Sequence, residues 1–315
     1  LSDAEISHKL RIGVAFAQFW RGFRPETFAA FFPQMLEDFE FYLSPNPQVV
    51  FHSVFSRRFV PFEDQNNPSP IAEVPRGDYI RVLLTGENVE PDMTRCDFAI
   101  SFSRRVQHPN HLRLPLWVYE NRAFGFPPTA LLRTPDTDWE AIAAAKTRFC
   151  NFIYSHSAPL RDQLFDALSH YRKIDSAGHF RNTMGGWTVP MEPNRLAGKV
   201  AFMRECKFTL AIENAVWPGY ASEKLADPFL AHSVPIYLGD PFAKTDFNPE
   251  AFIDGTGKSV AEIVETVRDI DNDKARYLAM LAAPPFAGNV IPEYAQDETI
   301  RAFFERIFAA APRRR

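Results

Sequence analysis

One stretch, residues 208–239, limits what this chain can fold into more than any other. It reads FTLAIENAVWPGYASEKLADPFLAHSVPIYLG. It holds an apolar run, a polar turn with Glu213 and Asn214, and a Gly219-Tyr220 pair. Ser222-Glu223-Lys224 then opens a helical pattern, and a second apolar run, 234–238, ends at Gly239. Strand, loop, helix and strand in this order make a βαβ unit, whose ligands sit beyond the carboxyl ends of the strands. Ser222, Glu223 and Lys224 then fall at a helix N-terminus, where unpaired backbone N–H groups and the helix dipole favour phosphate. Lys224 adds a full positive charge, and Glu223 can accept hydrogen bonds from a sugar diol such as ribose. These residues point to a nucleoside diphosphate site.

Asp227-Pro228 leaves the helix itself open to two readings. Pro228 removes the hydrogen bond to the Lys224 carbonyl and kinks a helix that starts near Glu223. Alternatively, Asp227 caps a later helix beginning at Pro228, and Lys224 lies on a loop.

The same alternation of strand and helix runs through the second half of the chain. Strands are expected over 149–154, 172–175, 208–212, 234–238 and 251–253. Helices are expected over 159–171, 195–205, 223–232, 260–270 and 274–282. That order implies a doubly wound parallel sheet. In the first half, runs of β-formers at 11–16, 39–43, 49–54, 79–84, 97–102 and 114–119 read as strands, with a helix over 26–37 in which Pro33 is a kink. Polar loops over 63–78 and 124–138 interrupt them, and long loops of this kind often carry function. The chain is therefore divided near residue 145, into 1–145 and 146–297. The terminal helix 298–310 turns its Ile300, Phe303, Phe304 and Ile307 side to a neighbour, with packing back on 1–145 left open.

Composition sets the outer limits. A chain of 315 residues with 46% hydrophobic content buries a large core, in two domains rather than one. The formal net charge of −4 offers no basic field for nucleic acid or an anionic membrane, the 313–315 arginine tail being a local exception. No apolar run approaches the roughly 20 residues of a membrane span, and no secretory signal opens the chain. The start at Leu1 reads as trimmed. The expected location is the cytoplasm, and peripheral contact with the inner face of the membrane is unsupported but left open. Cys96, Cys150 and Cys206 lie far apart, as core thiols of a reducing compartment do.

A nucleoside diphosphate carries about two negative charges, which metal or cations must balance. Asp136-Thr137-Asp138 and Asp271-Asn272-Asp273 match the Asp-x-Asp string of metal-using transferases, but both lie in loop-like or capping sequence. Cations fit better. Arg161 opens the helix after strand 149–154, the βα position for phosphate, and its guanidinium grips two oxygens at once. Alone it reads as a surface arginine; beside Lys224 on the same sheet it reads as a phosphate ligand. Glu87, in Thr85-Gly86-Glu87-Asn88 after strand 79–84, is either a solvated turn residue or a base placed to deprotonate a substrate hydroxyl. Glu213-Asn214 either bind a ligand or tie down loop 215–219. Tyr220 either stacks on a base or sugar or belongs to the core.

The string IENAVWPGYASEKLADPFLAHSVPIYLGDPFAKTDFNPEAFID closely resembles the signature of the α-1,3/4-fucosyltransferase family, above all its short bacterial members. Their pattern is F-E-N, a seven-residue step from Glu to Tyr, Y-[VIA]-[TS]-E-K, V/I-P-[IV]-Y-x-G and D-F-N-P. LRIGVAFAQFW, TGEN, CDFAISF, LRLPLW, SHSAPLRDQLFDAL and AGHFRNTMGG match upstream in the same order, so the similarity covers nearly the whole chain. The resemblance implies an α/β fold of the GT-B type, two Rossmann-like domains facing a central cleft. The first would bind the acceptor glycan and the second GDP-β-L-fucose. It implies an inverting transfer to an acceptor oligosaccharide, a lactosamine- or lactose-type unit, in α-1,3 or α-1,4 linkage. No cofactor is required and no divalent metal is essential. Carried over residue by residue, Glu87 corresponds to the general base, Arg161 and Lys224 to the pyrophosphate cations, Glu223 to the ribose ligand, and Asn214 and Tyr220 to further donor contacts.

Pro228 and Ala211-Ile212 depart from the pattern. The heptad repeats and basic amphipathic tail of some relatives find no match before Arg315, so membrane attachment and repeat-driven dimerisation lose support and the oligomeric state stays open. A transferase using another nucleotide sugar such as GDP-mannose, or a non-catalytic glycan- or nucleotide-binding protein, remains an alternative.

Overall fold

The computed structural model describes residues 9–55, 74–192 and 194–313. Two units emerge from the pattern of contacts: the described residues up to Tyr119 together with those from Glu293 onward, and Glu120–Pro292. The division lies at Tyr119/Glu120, against 145 from the sequence. The helix over Trp139–Ala144, absent from the sequence expectation, belongs to the second unit.

The first unit is a six-stranded parallel sheet. Its elements are β1 (Leu10–Ala17), α1 (Pro25–Phe31), β2 (Phe39–Leu43), β3 (Val49–His52), β4 (Ile80–Leu84), β5 (Phe98–Ser101) and β6 (His111–Arg113). The strand order is β2-β1-β3-β4-β5-β6. Parallel strands covered on both faces need apolar side chains on both, and Val49–His52 is buried at every position. The helix expected over 26–37 is broken rather than kinked. α1 stops at Phe31, and Pro33 begins a separate 3₁₀ turn through Leu36. The run at 114–119 is a helix, not a strand: α2 spans Leu116–Ala123. Leu114 makes the last ladder bond, N–H to the Ser101 carbonyl at 2.6 Å, and the Val118 N–H then returns to the Pro115 carbonyl at 3.1 Å. Trp117, Val118 and Tyr119 are all buried, so their run carries no period by which strand and helix could be told apart. Most of the expected loop 63–78 lies outside the described residues.

The second unit runs α3 (Trp139–Ala144), β7 (Arg148–Phe152), α4 (Pro159–Tyr171), β8 (Ile174–Ser176), α5 (Arg195–Arg204), β9 (Cys206–Ile212), α6 (Glu223–Leu230), β10 (Val234–Leu238), β11 (Ile253–Asp254), α7 (Val260–Asn272) and α8 (Lys274–Ala282). Its parallel sheet has the order β11-β10-β9-β7-β8. In register, Cys150 faces Phe208 and Phe208 faces Val234. Phe208, Leu210 and Ile212 of β9 pack in one cluster with Leu164 and Leu168 of α4, Ile263 and Val267 of α7, and Leu281 of α8.

The last helix, α9 (Asp297–Ala310), belongs to the first unit. Ile300, Phe303, Phe304, Ile307 and Phe308 are its buried side. Phe304 sits 4.9 Å from Phe32 and Phe308 4.6 Å from Phe39, ring to ring. Arg301 pairs with Glu37 and Asp38 at its flank. All three cysteines are buried free thiols, and burial pushes Cys96 up to about 11 and Cys206 to about 12. Among the described residues no helix is long and apolar enough to cross a membrane.

Candidate functional site

In the second unit the loops after β7 and β9 and the start of α6 converge. The helix is continuous through Pro228, and Ser222 is its N-cap. That settles the two sequence readings in favour of a helix starting at Glu223, with Lys224 in its first turn. Ser222 is set in turn by Glu213, whose side chain is wholly buried at the end of β9. One carboxylate oxygen of Glu213 accepts from the Ser222 N–H at 2.7 Å and from its hydroxyl at 2.8 Å. The other accepts from the Lys224 ammonium at 3.2 Å. Lys224 also reaches the Ser222 hydroxyl at 3.1 Å. An ammonium has three N–H donors, so these two bonds leave one for a ligand. Burial would lower the Lys224 pKa, but the charges of Glu213 and Glu223 carry it well above the ordinary value.

Arg161, in the first turn of α4, is 3% exposed, so it is not the surface arginine of the simpler sequence reading. Its guanidinium donates to the His156 carbonyl at 2.9 Å, the Ile212 carbonyl at 3.2 Å and Asn214 Oδ1 at 2.9 Å. Its Nε has no hydrogen-bond partner among the described residues. The cation lies over the ring of Tyr154, 3.9 Å from its centroid. Tyr154 is fixed by β9: its hydroxyl donates to the Leu210 carbonyl at 2.8 Å and accepts from the Ile212 N–H at 2.6 Å. Burial raises the Tyr154 pKa, while both Arg161 and Lys224 oppose that rise, so both cations act on one hydroxyl. Arg161, Asn214 and the Glu213–Ser222–Lys224 group thus meet at the carboxyl ends of β7 and β9.

Two glycines permit this. A Cβ on Gly178 would lie 2.3 Å from the Tyr154 carbonyl oxygen, and one on Gly239 2.4 Å from Glu213 Cγ. Neither contact is tolerable for a real side chain, so these positions let backbone and Glu213 approach closely.

Glu223, the first residue of α6, lies 3.9 Å from the Lys224 ammonium and 4.0 Å from that of Lys199 on α5. Burial pushes its pKa up, but Lys224 and Lys199 outweigh that and bring it down to about 2. Tyr220 is 4% exposed, which matches the core alternative better than a stacking platform. Its carbonyl accepts from the Tyr237 hydroxyl at 3.5 Å. Gly219, at φ 87°, donates to Asp240 at 2.7 Å and completes the turn before it.

Glu87 belongs to the first unit, in the turn after β4. Its N–H donates to the Thr85 hydroxyl at 3.1 Å and its carbonyl accepts from the Val89 N–H at 2.6 Å, so the backbone is held while the side chain is half-buried. The two Asp-x-Asp strings have structural partners. Asp138 caps α3 and Asp273 caps α8. Asp271 is buried against Lys207, Arg172 and Tyr171. Among the described residues no group of three His, Cys, Asp or Glu is placed to hold a metal ion. The sequence reading left Glu213 undecided, missed Lys199, and named Asp227 only as the alternative cap of a later helix. Glu213 had a signal, a carboxylate ending a core strand, but its partner in the helix cap is a tertiary fact.

Residues 143–282 match the model of the glycosyltransferase family 10 (fucosyltransferase) C-terminal region, and 73–119 match the alpha-(1,3)-fucosyltransferase FucT N-terminal domain. The chain belongs to glycosyltransferase family 10. It is 28% identical over 232 residues to the alpha-(1,3)-fucosyltransferase FucT of Helicobacter pylori, covering 65% of this chain and 47% of that one. A putative fucosyltransferase of Acanthamoeba polyphaga mimivirus is 30% identical over 49% of this chain and 26% of its own length. An alpha-(1,4)-fucosyltransferase of Arabidopsis thaliana is 31% identical over 39% and 34%. This family 10 chain thus spans about half the length of the bacterial relative and less of the others. Its fold is similar to that of an alpha1,3-fucosyltransferase solved with GDP-fucose, with a TM-score of 0.72 at 24% identity over 98% of this chain and 93% of that one. Two parallel Rossmann-like sheets with this likeness place the fold in the α/β GT-B type.

Proposed function

We propose that this chain transfers L-fucose from GDP-β-L-fucose to a hydroxyl of an acceptor glycan, in α-1,3 linkage and with inversion at the fucosyl carbon. The observation that carries the proposal is Arg161. It is a buried cation whose Nε lacks a hydrogen-bond partner among the described residues, set beside a helix N-terminus that bears Lys224 in a family 10 domain. A buried unpaired donor costs about 1–3 kcal/mol, and a phosphate oxygen would satisfy it. Arg161 and Lys224 hold the diphosphate and gain strength as the leaving GDP collects charge, so they act most in the transition state. Glu223 accepts from the ribose hydroxyls, and Asn214 lines the donor. Glu87, in the first unit, takes the proton of the acceptor hydroxyl, since inversion in one displacement needs a base for the incoming oxygen. The cations serve where a metal would, so the transfer runs without divalent ions.

The test is an array of glycan acceptors incubated with GDP-fucose in EDTA, with product linkage read by NMR. The expected product is an α-1,3-fucoside of a lactosamine- or lactose-type unit. Turnover of GDP-mannose or a UDP-sugar in preference to GDP-fucose would overturn the donor assignment, and a 1,4-fucoside the linkage.

A further inference from the structure

Lys199 lies outside the signature that pointed to the donor site, yet it joins two residues of α6. Its ammonium pairs with Asp227, whose side chain is wholly buried, and stands 4.0 Å from the Glu223 carboxylate. Asp227 is held on its other oxygen by the Asn121 amide at 3.2 Å. The Lys199 side chain is 19% exposed and, with Asn151, Thr209, Glu223 and Asp227, lines a cavity of about 40 Å³ under the helix. Burial would cost the lysine its proton, but Asp227, Glu223 and then Glu120 hold it charged.

Glu223 therefore lies near two ammonium groups. Both approach its Oε1, Lys224 at 3.9 Å and Lys199 at 4.0 Å, each beyond ordinary hydrogen-bonding distance. A carboxylate fixed by charge, without a direct lysine hydrogen bond, keeps lone pairs for a ligand diol. Of the two lysines, Lys224 is committed to Glu213 and Ser222, whereas Lys199 has only α6 carboxylates as ion-pair partners among the described residues.

We infer that Lys199 is a positioning residue for ribose recognition: anchored on Asp227, it holds Glu223 ionised and in place to accept both ribose hydroxyls of the donor nucleotide. This rests on the donor-site reading above and goes beyond it. The pair also accounts for the tolerated Pro228. Proline removes one backbone bond from the middle of α6, and the adjoining Asp227 ties that turn to α5 and to Asn121 instead.

The test is calorimetric titration of GDP and of 2′,3′-dideoxy-GDP into the wild type, K199R, E223Q and K199M/D227N. The double variant removes both members of the buried pair, so no lone charge is left to unfold the unit. Wild type should prefer GDP over the dideoxy nucleotide by about 10–100-fold, the range for hydrogen bonds to a charged group. In K199M/D227N most of that preference should vanish, through weaker GDP binding with dideoxy-GDP binding unchanged; K199R should restore it. E223Q should lose it to a similar extent. Equal weakening of both nucleotides in the double variant, or an undiminished preference, would overturn the inference. A wild type that binds neither nucleotide would instead sink the donor-site reading on which it stands.

Discussion

At the scale of single residues, Glu87 and Lys224 have different parts in the proposed transfer. Glu87→Gln keeps shape and hydrogen bonding but removes the base, so turnover should fall by ~10²–10⁴-fold with GDP affinity unchanged. Near-normal transfer by that variant would remove Glu87 from the role. Lys224 is the partner of buried Glu213 and, in the proposed transfer, also a phosphate cation. K224M should lose ~2–5 kcal/mol of GDP binding. It should also lose stability, because breaking a buried pair typically costs ~3–5 kcal/mol. Adding E213Q should restore the melting temperature and leave GDP binding weak; recovery of both would show that Lys224 does not touch the nucleotide. Titration adds a check on packing. His232 is kept neutral by burial and then by Arg133, with its pKa down at about 4. Between pH 6.5 and about 4 the unfolded chain therefore binds more protons at this position, so stability is full above 6.5 and falls as pH drops through that window. Urea unfolding of H232N at pH 7 and pH 5 should show a smaller loss on acidification than wild type; an equal loss would place the titrating group elsewhere.

At the scale of elements, much was legible and the failures share a cause. The helix over Pro159–Tyr171 and the strand over Val234–Leu238 stand where periodicity and β-branched runs put them. Leu116–Ala123 misled because Trp117, Val118 and Tyr119 are consecutive buried apolar residues, a run too short to show a 3.6-residue period. The helix through Pro228 was ambiguous for another reason: the compensation, Asp227 with Lys199 and Asn121, comes from residues far away in sequence. The positions of Arg161 and Lys224 in the first turns of their helices could be read from sequence, because a βα turn at the carboxyl end of a strand is a local motif. The supports beneath them could not. Gly178 shows how close those supports are: a Cβ there would meet the Tyr154 carbonyl oxygen at 2.3 Å and its N at 2.4 Å. G178A should therefore push Tyr154 out from under Arg161, raising the GDP dissociation constant at least ~10-fold if one charge-assisted bond is lost. An unchanged constant would show that the guanidinium does not depend on that ring.

At the scale of the whole molecule, each unit is a parallel sheet; that of the second could be foreseen from alternating strands and helices, that of the first only from the family resemblance. The division between them could not be placed well. α2 carries the chain across the boundary at Tyr119/Glu120, while α9 returns to the first unit through Phe304 and Phe308. No local cue marks such a crossing, since a helix that leaves one unit and enters another has the same pattern as one that stays. The central claim is that the second unit holds a guanosine diphosphate sugar by Arg161 and Lys224 without a metal. The most direct measurement is a crystal structure of the chain soaked with GDP-fucose in EDTA. The account predicts phosphate oxygens about 2.7–3.2 Å from the Arg161 guanidinium and the Lys224 ammonium. A donor whose phosphates lie away from both side chains, or that binds only when a divalent ion is supplied, would contradict it.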